Sequence, residues 1–128
     1  MTPAELKARI EAARAFEVEA GDIVFQCQAP TRLAMRSAAR AQRRGDAYNH
    51  DALLADLVPR HVRGWKGATQ GHLVAGLEAA EAAVGVAFEP DLLMALFSAK
   101  PEVFDAVAGA MIDAYQAREV AQEETLKN

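Results

Sequence analysis

Between Phe16 and Gln28 the chain reads with a period of two. Phe16, Val18 and Ala20 are separated by Glu17 and Glu19, Gly21-Asp22 supplies a turn, and Ile23, Phe25 and Cys27 are interleaved with Val24, Gln26 and Gln28. A period of two places one set of side chains on one face, so this stretch predicts a β-hairpin with a face to bury on helices. With glycine first, the turn is expected to be of type II′. Nearly everything else repeats at three or four residues. The expected fold class is therefore mainly α (α+β), a small helical domain with one short N-terminal β-hairpin.

The helical segments are marked by their ends. Thr2-Pro3-Ala4-Glu5 pairs a capping threonine with a glutamate three residues on and has proline at the first helical position; Leu6, Ile10 and Ala13 carry the helix to about Ala15. Arg32 to Arg44 reads as a second helix, with Leu33, Arg36 and Arg40 on one side and Gly45 ending it. Asn49 or Asp46 is the cap expected for a third helix, whose Leu53, Leu54, Leu57 and Val58 precede a break at Pro59. His61 to Gly71, with three glycines and the only tryptophan, reads as a connecting loop pinned by Trp65. Leu73 to Val84 is alanine-rich and expected to be helical despite the glycines around it. A further helix starts at Glu89-Pro90-Asp91, buries Leu92, Leu93, Leu96 and Phe97, and closes at Lys100-Pro101. The last helix runs from Pro101 with Val103, Phe104, Val107, Met111, Ala114 and Tyr115 as its apolar stripe. The stripe thins after Tyr115, so residues 117–128 are expected to extend into solvent or toward a partner.

The length of 128 residues suits one domain spanning 1–128, and a hydrophobic content of 52% supports a core. Alanine inflates that figure and aromatics are only 6%, so the core is expected to be thin and helix-packed. No segment approaches the roughly 20 apolar residues of a membrane span, and Glu5, Lys7, Arg9 and Glu11 occupy the place of a signal core. An intracellular protein is expected. Cys27 is the only cysteine, which rules out an internal disulfide and fits a small buried hydrophobe better than a nucleophile.

Charge is unevenly spread. Through Lys66 there are eleven Lys/Arg against eight Asp/Glu, a net of +3; from Gly67 there are three against ten, a net of −7. Arg32, Arg36, Arg40, Arg43 and Arg44 form a basic stripe, for which an acidic protein surface is a better target than nucleic acid, given the acidic overall balance and the lack of base-reading residues beside the arginines. His50, His61 and His72 lack metal-ligand spacing. Ser37 and Ser98 lack a nucleophile elbow, there is no phosphate-cradling loop, and Glu123-Glu124 lie on a solvated helix end. No enzyme, metal or cofactor is expected.

Two short motifs remain, Arg63-Gly64-Trp65-Lys66-Gly67 and Val86-Ala87-Phe88-Glu89-Pro90-Asp91-Leu92-Leu93, followed by Asp113-Ala114-Tyr115 in the last helix. In this order, after a hairpin and a basic helix, the chain from Phe16 to Asn128 resembles the tail assembly chaperones of long-tailed (siphovirus-like) bacteriophages and prophages. In that family a Gly-Trp-x-Gly loop precedes a Val-x-Phe-x-Pro-x-Leu segment and a C-terminal helix. The alanine-rich stretch from Gly71 to Gly85 departs from the family's pattern in being longer and more helical. The resemblance implies a protein of the bacterial host's cytoplasm, absent from the finished virion. It would bind the tape-measure protein, hold it soluble until tail-tube protein polymerises around it, and self-associate; family members often have a longer frameshifted form. The partner-binding candidates are then Arg36, Arg40, Arg44, Trp65, Phe88, Leu92, Met111 and Tyr115. A structural virion subunit, such as a head-tail connector or tail protein, is the alternative, and a nucleic-acid-binding regulator a more distant one.

Overall fold

A computed structural model of the protein describes residues 1–45 and 47–127. Helix α1 (Pro3–Ala13) begins where expected: the Thr2 hydroxyl accepts the Glu5 backbone N–H at 3.1 Å, with Pro3 following the cap. It buries none of its residues. Strands β1 (Ala15–Ala20) and β2 (Ile23–Gln28) form the hairpin, pairing Phe16 with Cys27 and Ala20 with Ile23. Its turn departs from the expected type II′. Gly21 and Asp22 both take positive φ, 57° and 67°, the signature of type I′; the short polar side chain of aspartate tolerates the left-handed region, and the I′ twist matches that of the strands.

A third strand corrects the sequence reading more deeply. Within the expected loop from His61 to Gly71, β5 (Val62–Lys66) pairs antiparallel with β2, so the sheet order is β1-β2-β5 and β2 is its central strand. The register shifts between Gln26 and Cys27, which face Gly64 and Val62, and Arg63 is the extra residue of this bulge.

Between β2 and β5 lie α2 (Arg32–Ala41), a two-residue hairpin of β3 (Arg43–Arg44) and β4 (Ala47–Tyr48), and α3 (His50–Arg60). Helix α2 therefore stops three residues short of Arg44, because the chain turns through Gly45 to pair Arg44 with Ala47. Asn49 caps α3, its side chain accepting the Ala52 N–H at 3.1 Å. Asp46, the other cap the sequence offers, lies outside the described residues. Pro59 does not break α3, which continues to Arg60; proline forfeits its hydrogen bond to the carbonyl four residues back and crowds that preceding turn, but does not stop the chain from completing the last turn.

The stretch expected to be one helix from Leu73 to Val84 is instead two short turns, α4 (Gln70–Leu73) and α5 (Ala79–Ala82). Gly76 between them has φ of 79°, a left-handed conformation that no helix propagates through. The loop is closed at its base by a bridge between Thr69 and Gly85, with Gln70 N–H donating to Val84 O and Val86 N–H to Ala68 O, both at 2.9 Å. Helices α6 (Pro90–Ala99) and α7 (Pro101–Lys127) follow as expected. Asn128, the end of the expected C-terminal extension, lies outside the described residues.

The core sits between the sheet and the last two helices. Ile23 and Phe25 of β2, Leu93 and Leu96 of α6, and Val107 and Met111 of α7 are all fully or almost fully buried. Such side chains each contribute about 1.5–3 kcal/mol by leaving water. A smaller cluster of Ala38, Leu53 and Leu57 joins α2 to α3. The fold is α+β, with more sheet than a hairpin alone.

Candidate partner-binding surface

The two motifs separated by the Thr69–Gly85 loop meet in space. Register places Trp65 opposite Phe25, and the two rings make an edge contact with centroids 6.5 Å apart. The other side of Trp65 meets Phe88 edge-on at 5.2 Å, and its indole N–H donates to the Val86 carbonyl at 2.8 Å. Phe25 in turn contacts Phe97 at 6.1 Å, and Phe97 contacts Phe104 at 5.2 Å. The Gly-Trp-x-Gly and Val-x-Phe-x-Pro-x-Leu pieces therefore form one packed unit, in which the polar end of the tryptophan is satisfied by backbone.

This packing corrects the set of partner-binding candidates. Trp65 is 8% exposed and Met111 0%, so both support the surface from within and neither presents its side chain. Phe88, Leu92 and Tyr115 are half-buried. Arg36 and Arg40 stand exposed on α2 beside Leu33, itself 76% exposed, whereas Arg44 lies in β3, so the expected five-arginine helical stripe is divided. Its first member, Arg32, is engaged with Glu119 of α7. Nearby, Arg118 donates to the Ala13 carbonyl at 2.8 Å, tying the end of α1 to the same helix.

A surface that sequence reasoning did not find runs along α3. Three depressions share lining residues end to end. The first, about 530 Å³, lies between Asp51 and Leu54 of α3 and Asp105, Gly109 and Ile112 of α7. The second, about 190 Å³, is lined by Ala55, Pro59, Met94, Phe97 and Phe104. The third, about 350 Å³, extends from Pro59 and Met94 to Arg60, Arg63 and Phe88. Together they make a groove walled by α3 on one side and by α6 and then α7 on the other. Its floor is apolar, and Met94 is exposed within it. The signal in sequence is slight: Met94 and Ile112 are apolar residues off the main core stripes of their helices, and only the placement of three helices shows that they face one trough.

The two buried titratable side chains nearest the sheet belong to the scaffold. Burial pushes the Cys27 thiol up to about 12, leaving it protonated and a poor nucleophile. His61 is buried with Nδ1 at 2.8 Å from the Leu57 carbonyl, and loss of hydration lowers its pKa below the ordinary histidine value. Among the described residues, no group of three or more His, Cys, Asp or Glu side chains is placed to hold a metal ion, and no helix is long and apolar enough to cross a membrane. No protein-family model, no characterised protein and no solved structure matches the chain.

Proposed function

We propose that this protein is a phage tail assembly chaperone: a non-enzymatic binding protein of the host cytoplasm that covers helical segments of the tape-measure protein until tail-tube subunits polymerise around it. The observation that carries this reading is the groove along α3, whose helical walls and apolar floor suit an amphipathic helix laid lengthwise. The resemblance supports it from a second direction, since the two motifs that define it here pack against each other through Trp65, Val86 and Phe88. A tape-measure helix exposes apolar stripes that aggregate when bare, and many copies of a small groove-bearing protein mask them through individually weak contacts.

Co-expression with a tape-measure protein of a long-tailed phage tests the proposal. The expected result is a soluble tape-measure protein that co-purifies with this chain; unchanged insolubility and no co-purification would reject it. Abundant copies of the chain in purified virions would replace the chaperone with a structural tail or connector subunit.

A further inference from the structure

The groove has an electrical direction as well as a shape. At the end where α3 begins, Asp51, Asp105 and Asp113 line it, all exposed, beside His50. At the other end stand Arg60 and Arg63, also exposed. Arg60 is partly neutralised by Asp56, which it meets at 2.9 Å. Arg63 donates to the neutral amide oxygen of Gln28, at 2.9 and 3.1 Å, and so keeps its full charge. Between the two ends the lining is apolar around Ala55, Pro59 and Met94. Helix α3 has 11 residues and sets the length of the trough at about 16 Å, or three turns of a guest helix.

We propose that the groove receives one amphipathic helix of the client in a fixed polarity, its basic turn beside Asp51, Asp105 and Asp113 and its acidic turn beside Arg60 and Arg63. This rests on reading the protein as a chaperone of a helical client. A helix is itself most stable with acids in its first turn and bases in its last, so the guest runs antiparallel to α3 and along the direction of α6 and α7. Met94 meets the middle of the guest's apolar stripe. Charge selects the direction and the apolar floor supplies the contact area, so salt weakens the selection more than the binding.

The test uses the full-length protein and two labelled amphipathic helical peptides of identical composition. One has glutamates in its first turn and lysines in its last, and a nitroxide on its N-terminus is expected to broaden the NMR signals of Arg60 and Arg63 more than those of Asp51 and Asp113; the other has glutamate and lysine mixed at both ends, so that it matches the groove's charges in neither direction. Fluorescence anisotropy at low salt is expected to show the first peptide binding about tenfold tighter, the size that several partly exposed ion pairs together produce. The double variant Asp105→Lys/Asp113→Lys is expected to abolish or invert that preference, a comparison that cancels any difference in the peptides' own helicity. Met94→Glu is expected to weaken both peptides. Equal affinities in the unaltered protein, no binding, or a preference that survives the double variant would overturn the proposal. So would variants that reduce self-association and leave peptide binding intact, because the groove would then hold a second copy of the chain. Failure of the chaperone reading is separable. If the unaltered protein retains the tape-measure protein and Met94→Glu retains it equally, the groove assignment falls and the chaperone stands. If the peptides discriminate but no tape-measure protein is retained, the reverse holds.

Discussion

Along α7, Val107 and Met111 are fully buried against the sheet, whereas Val120 is 54% and Leu126 87% exposed. The same helix thus has two regimes. Its first turns are held by the apolar face of β2 and by α6, and its distal part is fastened laterally through Arg118 to Ala13 and Glu119 to Arg32. Beyond those ties the helix relies on continuity with a well-packed start, since an isolated stretch of that length is marginal in water. Helix α1, which buries nothing, shares the distal regime. Packing is therefore graded along α7: its first turns bury Val107 and Met111 on one side while Asp105, Gly109 and Ile112 line the groove on another, and its distal turns bury little.

That gradient can be broken or sharpened by measurement. The largest expected effect is at the packed end: Met111→Ala should lower the unfolding free energy by about 3 kcal/mol, whereas Leu126→Ala should change it by no more than about 0.5 kcal/mol. Equal losses in urea titrations would show that the two regimes are one. Next comes pH. Because burial favours neutral His61 in the folded state, the unfolded chain takes up the proton first as pH falls through about 6.5. The contribution of His61 to stability is full above that pH and declines below it, with a slope of at most about 1.4 kcal/mol per pH unit. Comparing unfolding midpoints at neutral and mildly acidic pH, His61→Asn should flatten the decline; an unchanged slope would rule out this histidine as its source.

Smaller effects probe the joints. An alanine at position 21 would adopt φ near 57° and place its Cβ 2.9 Å from Val103 Cγ2, where the hairpin turn touches α7. Left-handed backbone alone costs roughly 1–2 kcal/mol, so Gly21→Ala should destabilise by at least about 1 kcal/mol in the same titration. A neutral result would mean that turn and helix do not press on one another. Gly109 lies in α7 with open space where a Cβ would stand, so Gly109→Ala should stabilise by about 1 kcal/mol through helix propensity. Any loss of stability there would show that the groove wall is less open than its geometry implies.

The hairpin is legible in the sequence because Phe16 to Gln28 alternates over a local pairing, and α6 and α7 are legible because proline marks their starts and a clean apolar stripe their faces. Strand β5 is not. It is five residues long, contains Gly64, ends against Gly67, and is bulged at Arg63, so its alternation is too brief to register and its partner lies across α2 and α3. Trp65 stands out as an anchor, but only the register opposite Phe25 shows that it anchors inward. The basic stripe looks continuous because sequence spacing cannot show the turn at Gly45 that moves Arg44 off α2. The groove is hidden for a different reason: it belongs to no single element and arises where α3, α6 and α7 leave a trough between them.

The clasp between Thr69 and Gly85 has a consequence for how the chain tolerates cargo. Its backbone hydrogen bonds hold the two ends of the loop together at its base, so the Trp65–Val86 contact does not depend on what the loop encloses. Lengthening a closed surface loop costs only about 0.6 kcal/mol per doubling. A reporter spliced at Gly76, where open space surrounds the backbone, would ride outside the domain as a tethered passenger and leave the groove on α3 unoccupied and ready to be read.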